Sequence, residues 1–179
     1  QHPPTADWSR QEQLAYWINA YNAYTIRLIL DHYPVQSIQD IGAKIKIPRV
    51  TTPWAAEFFR IGGEKMSLDH IEHSILRKQY DDPRIHFALV CASLSCPRLR
   101  REAYTALRLD QQLDAQGRDF LNDPAKNKTG RDGAQLSRYF DWYRGDWERN
   151  GQSVAKWVNR YSTHRLADNA RISYLDYNW

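Results

Sequence analysis

The chain has 179 residues, 42% of them hydrophobic and 26% charged, enough to bury a core without covalent staples and to read as one domain over 1–179. Its net charge of +4 comes from Lys and Arg interleaved with Asp and Glu. Even the densest basic cluster, Arg98, Arg100 and Arg101, has no nucleic-acid reader motif around it, so no nucleic-acid partner is expected. No apolar run approaches the roughly 18 residues that cross a bilayer, which excludes a helical membrane span from the expectation. Because Gln1 is not an initiator methionine, residues upstream of it, a leader among them, are expected to have been removed or left out. Seven Trp and eleven Tyr call for a core of large rings or an aromatic-lined groove.

In chain order, Gln11 to His32 carries Leu14, Trp17, Ile18, Tyr21, Thr25, Leu28 and Ile29 at the spacing of one helix face. A second stripe, Ala15, Ala23, Ile26 and Leu30, predicts a central helix apolar on two sides, which would bury Asn19 and Asn22. Residues 35–56 read as irregular connection with short turns. Phe58 to Met66 reads as a hairpin turning at Gly62-Gly63, and Ser67 then caps a helix through about Arg77 with the stripe Leu68, Ile71, Ile75 and Leu76. Arg84 to Cys91 follows Asp81-Asp82-Pro83 as a nearly continuous apolar, β-prone run, the pattern of a strand covered on both faces. Leu109 to Leu121 is an amphipathic helix, Gly130 to Gly133 a turn, and Leu136 to Trp147 ambiguous between helix and strand. Ser153 to Tyr161 reads as a helix and Arg171 to Trp179 as a final strand. The assembly is an α+β fold, a central buried helix and further helices packed on a small, mostly antiparallel sheet.

Chemistry concentrates in Arg84 to Pro97, which holds both cysteines, His86, Ser93 and Ser95. A thiol beside a histidine forms a thiolate–imidazolium pair, the nucleophile and base of acyl transfer. On a regular strand His86 and Cys91 would face opposite ways, so Cys96, past the turn-prone Ala92-Ser-Leu-Ser95, is freer to fold back. Either cysteine is also readable as a small buried hydrophobe, and the two as a local disulfide. Their spacing, with four residues between, is not that of a zinc knuckle or a thioredoxin-like motif. Glu72 sits inside an apolar stripe, where an ionised carboxylate needs a partner. It reads either as an acid, base or orienter of a histidine, or as half of an ion pair with Arg77 or Arg84. His73 is off that stripe and exposed. Asn19 and Asn22 could offer amide donors to an oxyanion, with Glu12 on the same side of the helix, or tie loop backbone to the helix. Asp176 is a candidate orienter of His86.

Tyr16-Trp-Ile-Asn-Ala-Tyr-Asn22, Asp69-His-Ile-Glu-His73 with Leu76-Arg77, and Asp82 through Pro97 together resemble DUF547, a family named for its unknown function. Glu102-Ala-Tyr104, Leu121-Asn-Asp123, Phe140-Asp-Trp-Tyr143 and Leu175 to Trp179 extend the resemblance over nearly the whole chain. Val90 stands where the family usually has Asn before the first Cys, which puts a role for that amide in doubt. A more distant resemblance, to the papain and transglutaminase-like fold, implies a central helix followed by an antiparallel sheet bearing the histidine. In that fold the nucleophilic Cys starts the helix, where this chain has Asn19. Export signals are common in the family, and the resemblance implies a periplasmic or secreted protein.

The reading that follows is a thiol-dependent hydrolase or acyltransferase on an amide or peptide-like bond. It uses Cys96 or Cys91 as nucleophile, His86 as base, Glu72 or Asp176 as orienter and Asn19 or Asn22 as stabiliser, and needs no cofactor. Glu12, Ser93 and Ser95 complete the candidate substrate contacts. Its rival is a non-catalytic binding module whose aromatic groove holds a peptide or glycan. A metal site built from His86, Glu72, His73 and a Cys is third.

Overall fold

The computed structural model describes residues 2–44, 52–167 and 169–179. Ser9 and Glu12 open the first helix, α1 (Arg10–His32), with a reciprocal cap: the Ser9 hydroxyl accepts from the Glu12 N–H at 3.2 Å and Glu12 Oε2 accepts from the Ser9 N–H at 2.7 Å. The expected face is buried, from Leu14 through Trp17, Ile18, Tyr21 and Thr25 to Leu28. The second stripe is covered only at Ala15; Ala23, Ile26 and Leu30 are exposed, so the last turns of α1 have one open side.

The connection after α1 is less irregular than expected. It holds a short helix, α2 (Gln39–Lys44), and a tight 3-10 turn, Pro53–Ala55, while residues 45–51 of that expectation lie outside the described ones. The hairpin forms as expected: β1 (Phe59–Ile61) pairs antiparallel with β2 (Glu64–Met66), and Gly62 and Gly63 supply φ angles of 61° and 87°. The Ser67 hydroxyl then accepts from the His70 N–H, but the helix it caps is wider than an α-helix. His70–Leu76 is a π-helical segment, in which the Arg77 N–H bonds the Glu72 carbonyl, and it passes into a last α turn, α3 (Arg77–Gln79).

The strand expected over Arg84 to Cys91 is not there. Asp82 accepts from the Arg84 N–H, and the Ile85, His86 and Phe87 N–H groups bond back to Asp82, Pro83 and Arg84, which winds a helical turn, α4 (Ile85–Ala88). Its four residues are all buried, and a short apolar run covered on every side looks the same in either conformation. Only at Leu89 does the chain become extended, and there Asn22 takes the place of a neighbouring strand. Its amide donates to the Ala88 carbonyl and its oxygen accepts from the Val90 N–H, each at 2.9 Å.

Helix α5 (Leu109–Leu121) has the expected bounds, and Gly117 on it lets Phe87 and Tyr161 approach to where a Cβ would lie 3.1–3.2 Å from their rings. β3 (Lys128–Gly130) and β4 (Gly133–Leu136) form an antiparallel pair. The ambiguous aromatic stretch becomes two short helices, α6 (Tyr139–Trp142) and α7 (Arg144–Trp147). Ser153 caps α8 (Val154–Tyr161), and the final strand β5 (Arg171–Tyr174) lies parallel to β4. That strand stops at Tyr174, short of the expected Trp179, and the remaining tail carries Tyr177 and Trp179 elsewhere. The fold class is α+β, with sheets of two and three strands. No histidine-bearing strand of the papain-like arrangement exists around residue 86, since that residue is helical. Among the described residues no helix is long and apolar enough to cross a membrane.

Buried side chains form two clusters, one around α1, the hairpin and the π-helical segment, the other around α5, α6, α7 and α8. Ile85 and Ala88 belong to the first and Phe87 to the second, so α4 is shared between them.

Candidate functional site

Where the two clusters meet, a cleft of about 140 Å³ opens. The π-helical segment and its start supply Asp69, Glu72 and His73; α4 and the chain after it supply His86, Leu89 and Cys91; α6 and its end supply Tyr139, Trp142 and Tyr143. Tyr177 and Trp179 come from the tail, Trp54 from the Pro53–Ala55 turn and Tyr21 from α1.

His86 is 1% exposed, and its imidazole stacks on the Tyr143 ring at 3.8 Å and 17°. Its Nε2 lies 2.8 Å from Asp146 Oδ2, so the ring in its neutral form donates from Nε2 and keeps Nδ1 as the lone-pair nitrogen. Arg77 Nε donates to the same carboxylate oxygen at 2.6 Å and Arg149 Nη2 to the other at 2.7 Å. Burial alone would raise the Asp146 carboxyl, but the hydrogen bonds from His86 and Arg77 outweigh it and hold the group well below the usual carboxylate range. For His86 the balance goes the other way: burial wins over the Asp146 bond and lowers its proton affinity, so the ring is neutral at pH 7.

Glu72 is also buried, at 7% exposure. Its charge lies close to the Tyr143 hydroxyl, and burial together with that negative neighbour pushes the Tyr143 proton affinity far up. Neither expected ion pair forms. Arg77 is taken by Asp146, and Arg84 by Asp82, Asp110 and Asp114. Among the described residues no cation pairs with Glu72.

Cys91 lies among hydroxyls, 3.3 Å from Ser93 Oγ, 3.3 Å from Tyr139 and 3.1 Å from Tyr177. The chain bends sharply beside it, with Ala92 at φ 59°, a left-handed angle that costs a residue with a Cβ about 1 kcal/mol or more. Cys96 is buried and donates to the Ser93 carbonyl at 3.1 Å, on the far side of that bend. Both thiols are free. The nearness of the two thiols and burial push the Cys91 thiol up, while the same coupling draws Cys96 down to about 6. Among the described residues neither sulfur hydrogen-bonds His86, so the expected thiolate–imidazolium pair is not formed.

The other sequence candidates fall away from the cleft for definable reasons. Glu12 is spent on the cap of α1. Asn19 binds the Tyr104 backbone, its amide to the carbonyl at 2.8 Å and its oxygen to the N–H at 2.9 Å, and Asn22 binds Ala88 and Val90 as described. Both act as braces, and neither lines the cleft as an oxyanion donor. The Ser95 hydroxyl accepts from the Asn178 N–H at 2.8 Å, pinning the tail that carries Tyr177 and Trp179. Asp176 is exposed, and the carboxylate on His86 is that of Asp146, which corrects the expected orienter. His73 is exposed at the rim, as expected. Among the described residues no three His, Cys, Asp or Glu side chains converge as a metal shell would require, so His86, Glu72, His73 and a cysteine do not form one.

Asp146 and Tyr143 were missed. Asp146 interrupts an aromatic run from Phe140 to Trp147 as Glu72 interrupts an aliphatic one, and that was the available signal.

An aromatic-walled cleft holding a carboxylate that makes no ion pair among the described residues, set in an α+β fold, is the arrangement a ligand-binding or acid–base site would use. Residues 5–121 match the family model described as "Protein of unknown function, DUF547", and the chain belongs to that family. The matched stretch carries Glu72, His86 and Cys91 and ends at Leu121, before Tyr143 and the tail that complete the cleft and before Asp146, which holds His86 from behind it. No curated protein and no solved structure matches the chain.

Proposed function

We propose that this chain is a binding module whose ligand, a peptide or glycan segment, enters the aromatic-walled cleft. The observation that carries the proposal is Glu72. Arg77 feels its charge but is bonded to Asp146, and a buried carboxylate with no cation in ion-pair contact is costly to the fold unless something in the cleft complements it. The surrounding rings fit recognition: Trp142 and Trp179 stack at 5.9 Å and 18°, Tyr177 lies 4.6 Å from Trp179, and Trp142 is 46% exposed. Titrating short peptides and oligosaccharides against tryptophan fluorescence tests this, with Trp142→Ala as the control. Binding that quenches the wild type and is lost in the variant supports it; no response to any ligand rejects it.

The thiol-hydrolase reading keeps one observation in its favour, that Cys91, His86 and Glu72 line one cleft. It predicts alkylation by iodoacetamide near pH 6, slowed by His86→Ala. The geometry supports the opposite outcome. Cys91, its thiol pushed up, reacts only above the roughly 8.5 of an ordinary thiol; Cys96, drawn down to about 6, is shielded from the reagent by burial at 3% exposure; and with no imidazole on either sulfur His86→Ala leaves the rate unchanged.

A further inference from the structure

We propose that the group received by the cleft is an organic cation, the ammonium of a lysine-like side chain on a peptide, seated against Glu72 and faced by the rings of Trp54, Trp142, Tyr177 and Trp179. This rests on the binding-module reading and narrows it to one ligand class.

The charges around the cleft call for a cation. Two carboxylates line it, Glu72 and Asp69, and among the described residues the one ion-pair contact of Asp69 is His73 at 3.9 Å. Arg77, the cation best placed to compensate Glu72, is committed to Asp146 at 2.6 Å and lies over the Tyr143 ring, 4.9 Å from its centre. Glu72, felt by Arg77 but not in ion-pair contact with it, therefore lines the cleft with its charge only partly answered. A neutral glycan hydroxyl could hydrogen-bond that carboxylate but would not balance it; an ammonium does both.

The walls are suited to the same group. Trp54 and Trp179 lie 5.1 Å apart, Trp142 and Tyr177 4.8 Å apart, and Trp142 and Trp179 remain 46% and 36% exposed. Indole faces attract cations through their quadrupole and cover the methylene stem of a lysine at the same time. Trp54 adds a second requirement. Its indole Nε1 is buried with no acceptor among the described residues, and a donor left so at a cleft wall suits a ligand carbonyl. A peptide offers that carbonyl a few bonds from the ammonium, which favours a peptide over a free amine.

The test is a titration of the 15N-labelled protein with N-acetyl-lysine methylamide, followed through the tryptophan indole resonances. N-acetyl-norleucine methylamide serves as the uncharged counterpart, and chitotriose as an uncharged glycan. The lysine probe should bind at least about ten-fold more tightly than norleucine and weaken with added salt, as a charge-driven contact does. Glu72→Gln should remove that preference. Trp142→Ala, at an exposed position where folding is not at risk, should weaken the lysine probe while the remaining indole resonances keep their positions. Equal binding of lysine and norleucine, or undiminished binding by Glu72→Gln, overturns the cation. Indole shifts with chitotriose and none with lysine also overturn it, while leaving the binding-module reading in place. No shift with any of the three overturns both.

Discussion

Two buried carboxylates flank the Tyr143 and His86 rings, and the fold treats them in opposite ways. Asp146, 5% exposed, accepts from Arg77, His86 and Arg149, and its negative charge is fully answered within the protein. Glu72, 7% exposed, has no cation in ion-pair contact among the described residues, and the nearby Arg77 is bonded to Asp146 instead. The difference separates structure from function within one cleft. Asp146 fixes the histidine and two arginines, and removing it should harm the fold; Glu72 holds up nothing comparable, and its cost makes sense only in terms of what enters from outside.

The largest effect expected from that comparison is at Asp146. Asp146→Ala leaves the buried His86 and the half-buried Arg77 without their acceptor, and urea unfolding should show a loss of about 3–5 kcal/mol. Next comes Asn22→Ala, which strips the Ala88 carbonyl and Val90 N–H of their partners at the back of the cleft and should cost about 2 kcal/mol by the same measurement. An effect on stability of about zero from Asn22→Ala would show that the segment after α4 holds its shape without the brace.

Acid sharpens the contrast further. The His86 proton affinity is lower in the fold than in the unfolded chain, so the unfolded state takes up a proton that the native state refuses as pH falls below about 6.5. Stability is therefore greatest above that pH and declines below it, and Asp146 adds a second decline below about pH 4, where only the unfolded carboxyl is protonated. The urea midpoint should fall between pH 7 and pH 5, and His86→Asn should flatten that slope. A slope unchanged in His86→Asn would mean that another group controls it.

The amphipathic patterns that a sequence displays best survived intact: α1, the Gly62-Gly63 hairpin and α5 lie where periodicity and turn chemistry put them. Glu72 was legible for the same reason, a polar residue out of place in an apolar stripe. The segment Arg84 to Cys91 was misread because four consecutive buried residues carry no periodicity, and the decision for a helical turn came from hydrogen bonds to Asp82 and Pro83 that no apolar pattern records. Of the two asparagines expected to be buried, Asn22 is and Asn19 is only partly covered, and what each bonds is backbone 66 and 85 positions away, a tertiary fact. Asp146 was hidden by a stretch equally compatible with helix and strand, and the pairing of Asp146 with His86 across 60 residues is of the same kind.

The smallest predicted effect is the most telling. Glu72→Gln keeps the shape of the side chain and removes only a buried charge, so its unfolding free energy in urea at pH 7 should equal that of the wild type or exceed it by up to about 1 kcal/mol. That result, beside the large loss in Asp146→Ala, would confirm that the fold carries Glu72 for a ligand. A loss of more than about 1 kcal/mol in Glu72→Gln would contradict the account, because it would make Glu72 a structural carboxylate like Asp146.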